Sequence, residues 1–201
     1  MSVLIRKANV EDIDSIVKIH ETAFEGFFLT SLGRNFLNLY YKSFILSNHG
    51  VVLCAEKDNN LVGFSACSYE SRGFNSRLIK KNLIRFGLEA VLLLFTRPGA
   101  LIRLIKNINK ESNDANIDDN GLYAELYSIA VDPSCQGEGV GRLLLTATET
   151  DVKEYTNKVS LTTDYCNNDN TIAFYHALGY EDYYSFVAYP DRKMWRLIKE
   201  L

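Results

Sequence analysis

Apolar and polar positions alternate over residues 3–7, which predicts a first strand. Asn9 is placed to cap a helix, with Asp12 where an acid favours the first turn. Ile13, Ile16, Val17 and Ile19 then lay an apolar stripe at helical spacing. Residues 24–30 break that helix. A second, over about 31–46, turns Leu32, Phe36, Leu39, Tyr40 and Phe44 one way. Residues 51–56 and 61–69 read as strands, joined as a hairpin by the turn residues Asp58, Asn59 and Asn60.

The pattern next predicts a strand over 122–131, a helix over 142–155, a strand over 159–164 and a helix over 169–177. Two last strands, 180–188 and 194–199, meet at a turn through Pro190 and Asp191. Between the hairpin and the strand at 122 lies a long segment, 70–121. Within it, 74–95 reads as one helix, 98–109 as a second that opens on Pro98, and 111–121 as a polar connector. The order implies a single α/β (α+β) domain over 1–201, with a mixed central sheet and flanking helices. Residues 70–121 form a two-helix insertion between its third and fourth strands.

Composition narrows the class. The 201 residues fit one domain, and 47% hydrophobic residues with only 3 Pro suit a filled core. The most apolar stretch, 88–95, is far too short for a membrane span, so no integral membrane segment is expected. Residues 1–8 alternate like a strand and lack the apolar core of a secretory signal. Cys54, Cys67, Cys135 and Cys166 lie far apart, and His20, His49 and His176 show no ligand spacing. Reduced thiols in a cytoplasmic protein are expected, with no metal site.

Net charge is −3, which argues against a nucleic-acid binder. That average hides an asymmetry. Residues 72–110 hold nine bases and a single acid, Glu89, a net of +8 that leaves −11 for the remainder. Such a block marks a solvated helix face or a surface that meets an anion. The insertion is therefore expected over a binding cleft, against a second copy in a homodimer, or as a peripheral contact on an anionic membrane.

The candidate chemistry begins at Gln136-Gly137-Glu138-Gly139-Val140-Gly141-Arg142, between a predicted strand and a predicted helix. Consecutive backbone N–H groups in a glycine-rich turn, feeding a helix N-terminus, suit a pyrophosphate. No Lys-Ser/Thr follows the glycines, so the turn is not a P-loop, and the spacing is not that of a dinucleotide fold. An ordinary strand-to-helix turn is the alternative.

Ile129-Ala130-Val131-Asp132-Pro133 before that turn, with Asn168 and the run from Thr171 through Phe174-Tyr175 to Leu178-Gly179-Tyr180 after it, resembles the GNAT (Gcn5-related N-acetyltransferase) superfamily. The likeness covers the order of elements along nearly the whole chain. Its specific motifs lie between Glu125 and Tyr180, and the long 70–121 segment departs from the family's short loop. The resemblance implies that the backbone of Ile129, Ala130 and Val131 pairs with the pantetheine arm of acetyl-CoA and supplies an oxyanion donor. It implies that the amides from Gly137 to Arg142, with Gln136 beside them, hold the pyrophosphate. It further implies that Asn168 touches the cofactor arm, and that Tyr175 protonates the departing thiolate.

Tyr175 could instead be a packing residue beside Phe174 and Leu178. Glu125, eleven residues before Gln136, resembles the family's glutamate base. It could equally face solvent or pair with an arginine of the insertion. Acceptor sites in the family use regions that correspond to residues 24–30, 183–191 and the insertion, the first two rich in aromatics. The expected activity is acetyl-CoA-dependent N-acetylation of a primary amine on a small molecule, with an amino sugar or sugar nucleotide among the candidates. Protein or peptide N-acetylation, and a non-catalytic acyl-CoA sensor, are the alternatives.

Overall fold

The computed structural model describes residues 3–108, 112–113 and 117–201. The expected residues 109–111, including Lys110 of the basic block, and part of the polar connector lie outside them. A mixed sheet of seven strands forms the centre: β1 (Leu4–Lys7), β2 (Gly50–Lys57), β3 (Asn60–Ser68), β5 (Ala124–Val131), β6 (Lys158–Asp164), β7 (Glu181–Ala188) and β8 (Arg192–Glu200). A two-residue strand, β4 (Ser112–Asn113), extends one edge, and the order is β1-β2-β3-β5-β6-β8-β7-β4. β5 and β6 run parallel, whereas the other neighbours are antiparallel. The expected α/β (α+β) class and mixed sheet are what the chain adopts.

Local chemistry sets these elements. The Asn9 side chain accepts from the Glu11 amide while Asp12 accepts from the Asn9 amide, and α1 (Ile13–Ala23) follows. Asp58 and Asn59 both hold positive φ, which matches the twist a tight β2–β3 hairpin needs. α2 (Phe28–Ser31) and α3 (Arg34–Ile45) divide the region expected as a break and then one helix. One face of the sheet packs on α1, α3 and the insertion, the other on α7 (Val140–Val152) and α8 (Asp169–His176).

Among its described residues the insertion holds three helices and β4, a correction to the expected two: α4 (Phe74–Lys81), α5 (Leu83–Thr96) and α6 (Pro98–Ile108). The expected helix over 74–95 breaks at Asn82, whose backbone leaves helical values. The cause lies in two burial directions. Phe74 meets Phe44 near the end of α3 and Tyr127 of β5, while Phe86 meets Phe36 near the start of α3. Asn82, a weak helix former, supplies the bend that lets both faces bury.

β5 departs from the plain alternation of a strand. Simple alternation puts Glu125, Tyr127, Ile129 and Val131 on one face. Ala66 pairs with Ser128 but Cys67 with Leu126, so Tyr127 is an extra residue in a bulge. Glu125 and Tyr127 do share a face, but Ile129 and Val131 point the other way, into the core beneath α7.

Beside the bulge, the Tyr41 hydroxyl joins His20 Nδ1 at 2.7 Å and Ser128 Oγ at 3.1 Å, all three buried. Burial pulls the His20 imidazole down to about 4 from its ordinary 6.5. The unfolded chain therefore takes up this proton first as pH falls. The stability contribution is complete above about pH 6.5 and is lost on acidification toward pH 4, by about 1.4 kcal/mol per pH unit. Urea melts of the native protein and of His20→Gln across that window check it, and equal slopes in both would remove His20 as the cause.

Candidate active site

β5 and β6 pair only where Ala124, Glu125 and Leu126 meet Val159, Ser160 and Leu161. Beyond that point β5 stays with β3, while Thr162, Thr163 and Asp164 stay with β8. Among the described residues the facing edges of the two strands are left unpaired from Tyr127 and Thr162 onward. The bulge at Tyr127 turns β5 just where the separation begins. A V-shaped cleft results, with a free row of β5 backbone groups at Ile129, Ala130 and Val131. An extended chain with amide groups fits such an edge as an added strand would.

The glycine turn closes one end of the cleft. Gly137 and Gly139 sit at φ +81° and +83°, where L side chains are strained. A Cβ on either would meet no atom within 4 Å, so the space over the turn is open. Gly139 caps α7 without any side-chain hydrogen bond, which leaves the first helical N–H groups available to an anion. Glu138 is held by Lys57 at 2.6 Å, and Gln136 and Arg142 are exposed. The residues present fit a pyrophosphate. Gly139→Val is expected to raise KM for acetyl-CoA about tenfold or more, since forcing a positive φ costs about 1–3 kcal/mol. An unchanged KM would remove the turn from the donor site.

Asn168 and Tyr175 lie at the start and near the end of α8. The Asn168 amide donates to Thr163 Oγ1 at 2.6 Å and to the Asp164 carbonyl at 3.1 Å, fastening the start of α8 to the open end of β6. Tyr175 is buried, with its ring edge-on to Phe174 and Tyr180, in the core that also holds Leu126 and Val140. Burial pushes its hydroxyl well above the ordinary tyrosine value.

Glu125 is buried, and its arginine partner lies on β8 rather than in the insertion. Its Oε1 accepts from Arg196 of β8 at 3.0 Å, and its Oε2 accepts from Ser71. Arg196 also donates to the Tyr184 hydroxyl at 3.0 Å and lies 3.5 Å from Asp119. Tyr123 and Tyr184 each donate to Asp119 Oδ2 at 2.6 Å. Burial pushes the Asp119 carboxyl up, but these hydroxyls, the Gly121 amide and the Arg196 charge together hold it below its ordinary value. Two carboxylates thus share one guanidinium. Sequence reasoning found Glu125 but missed Asp119, Arg196 and Ser71. The only available signal for Asp119 was the Asp-Asp-Asn-Gly turn at 118–121.

This cluster floors a cavity of about 1000 Å³ that the insertion roofs. Its walls are mostly apolar, with Phe28, Phe36, Phe74, Phe86 and Leu104 among them. Glu125 and Tyr127 line it too, so the cavity meets the cleft where β5 and β6 part. Of the insertion's bases among the described residues, only Arg72 lines it. Lys80, Lys81 and Arg85 are exposed elsewhere. Among the described residues no group of three His, Cys, Asp or Glu side chains could hold a metal ion.

Residues 105–180 match the sequence model of the acetyltransferase (GNAT) family. No curated protein matches the chain. The fold is similar to that of the PaiA N-acetyltransferase from Thermoplasma acidophilum, solved in complex with coenzyme A (TM-score 0.62, 16% identity, 100% of each chain covered). It is also similar to a ribosomal-protein-alanine N-acetyltransferase from Brucella melitensis (TM-score 0.61, 16% identity, covering 98% of this chain and 99% of that one). An N-acetyltransferase from Staphylococcus aureus Mu50 gives TM-score 0.62 at 13% identity, covering 100% and 99%. At such identities the likeness shows the fold alone. The family match spans the cleft and the glycine turn, so over residues 105–180 the chain carries the sequence pattern of the acetyltransferase (GNAT) family. Its general function is that of a GNAT N-acetyltransferase.

Proposed function

We propose that the chain transfers the acetyl group of acetyl-CoA, by direct attack, to the primary amine of a small molecule that carries a sizeable apolar group. The observation behind this reading is the junction of the apolar cavity with the unpaired β5 edge at Glu125 and Tyr127. Acetyl-CoA would lie along Ile129, Ala130 and Val131, its pyrophosphate over the turn from Gly137 to Arg142. A β5 N–H would polarise the thioester carbonyl. Asp119, Glu125 and Arg196 together carry one net negative charge in a buried place, which an incoming ammonium balances.

Glu125 then serves as the acceptor of that proton, directly or through water, before the neutral amine attacks. The C–N bond forms, the C–S bond breaks, Tyr175 donates to the departing sulfur, and the proton that the attacking nitrogen then sheds passes through water to the tyrosinate left behind, which restores Tyr175. The apolar walls, with Arg72 as their one insertion base, favour such an amine over an amino sugar or sugar nucleotide.

Calorimetric titration with acetyl-CoA, followed by thiol release over linear alkylamines and amino sugars, tests the proposal. KM is expected to fall about fourfold for each added CH2 until the cavity is filled, as about 0.8 kcal/mol per buried CH2 dictates. Turnover on amino sugars alone would overturn the apolar acceptor. Acetyl-CoA binding with no turnover on any amine would favour the acyl-CoA sensor instead.

A further inference from the structure

α5 has an inner and an outer side. On the inner side Phe86 and Leu93 are buried, with Phe86 against Phe36 of α3, and both line the cavity together with Leu83, Gly87 and Ala90. Ile84, Leu88, Val91 and Phe95 recur at spacings of four, three and four, the period of one helix face. All four are exposed, Ile84 and Phe95 at 80% each, with Leu92 and Leu94 beside them. Nothing among the described residues covers this face. Isolated exposed leucines need no explanation, but a continuous stripe along a helix marks an interaction site.

Charge identifies the occupant. Lys80, Lys81, Arg85 and Arg97 are exposed just before, within and just after α5, Lys81 and Arg97 also donating to the Leu46 and Ser31 carbonyls, in a segment of net +8. A symmetric pair of copies joined here would set two such segments against each other, which like-charge repulsion opposes. An anionic lipid surface compensates the charge and takes up the apolar side chains. Fourteen residues give α5 a length of about 21 Å. Among the described residues no helix is long and apolar enough to cross a membrane, so α5 would lie in the plane of the interface.

The cavity supplies a second, independent observation. Leu83 of α5 and Ile105 of α6 line it and are also exposed, so it opens on this side of the molecule. A second copy on the stripe would crowd that mouth, whereas a lipid surface gives an apolar molecule a route into it.

We infer that the outer face of α5 docks the protein peripherally on an anionic lipid surface, with the mouth of the cavity turned toward the bilayer. The docking itself does not depend on the acceptor proposed above, and its test has no activity readout.

The experiment is co-sedimentation of the full chain with vesicles of phosphatidylcholine alone and of phosphatidylcholine with phosphatidylglycerol. Binding to the anionic vesicles is expected to exceed that to the neutral ones at least tenfold and to weaken as salt is raised. The double variant Leu88→Asp with Phe95→Asp should lose the binding while keeping the native circular dichroism. Because a stripe variant could also disturb the fold, the triple variant Lys80→Glu, Lys81→Glu, Arg85→Glu is measured beside it. All three of its side chains are exposed, and it should abolish the preference for anionic lipid. No sedimentation with either vesicle overturns the inference. So does a dimer by light scattering that Leu88→Asp with Phe95→Asp converts to a monomer, since that assigns the face to a second copy.

Discussion

Arg196→Met is expected to destabilise the protein by about 3–5 kcal/mol, the usual cost of removing one partner from a buried charge set. Arg196 is 3% exposed and stands between Glu125 and Asp119, themselves shielded from solvent by the insertion. Without the guanidinium, two carboxylates face each other in a mostly apolar setting, with hydroxyls and the Gly121 amide as their hydrogen-bond donors among the described residues. For a domain of this size the loss corresponds to a fall in Tm of roughly 6–20 °C. Adding Asp119→Asn and Glu125→Gln to Arg196→Met should recover much of it, because the complete set is neutralised together. Thermal melts of the single and triple variants check both halves. A single variant within about 2 °C of the native Tm would mean that the cluster is solvated and its charges are not structural.

The sign of the pH dependence follows from Asp119. Its carboxyl is held below the ordinary value in the folded state, so its contribution is present above the unfolded value, near 3.8, and is lost as pH falls through the lower folded value. This loss comes at more acid pH than that from His20, which is already spent near pH 4. The two groups therefore act in separate windows and can be told apart in one acid titration.

The order of strands and helices was legible because both depend on local periodicity, which survives in the sequence whatever the partners are. The glycine turn was legible for a similar reason: two positive-φ positions before a helix demand glycine at fixed spacing. What could not be read depended on pairing between distant segments. The bulge at Tyr127 exists because β3 and β5 slip by one residue at Cys67, and no feature of the 122–131 stretch alone announces it. That slip reverses Ile129 and Val131 relative to Glu125, so alternation gave the wrong face for half the strand.

Asp119 shows the same limit at the site itself. In a run of Asn, Asp and Gly it reads as part of a solvated connector. Its role comes from Tyr184 and Arg196, far along the chain on β7 and β8, which fold back beside Glu125. Arg196 likewise sits where a strand's polar position would face water. β8, however, is interior to the sheet, between β6 and β7, and the insertion roofs that face.

Tyr175→Phe is expected to lower kcat about a hundredfold while leaving KM for acetyl-CoA nearly unchanged, the signature of an acid lost from the transition state alone. The ring keeps its contacts with Phe174 and Tyr180 in this variant, so the melt should hardly move. Burial raises the hydroxyl well above its ordinary value, which at first makes Tyr175 look like a poor donor to a thiolate. The same burial acts on the sulfur. Within this protein, desolvation pushes the Cys54 thiol up to about 12, and a CoA thiolate is raised in the same direction to the extent that the bound donor itself excludes water from the cleft. Donor and acceptor are therefore raised together, and the match between them that makes proton transfer efficient is kept. A poorer leaving group needs the acid more, so an acyl oxyester analogue of acetyl-CoA should lose a larger factor than the thioester does. A kcat within threefold of native on both donors would reduce Tyr175 to a packing residue. A loss equal on both would mean that the hydroxyl positions the donor without delivering a proton.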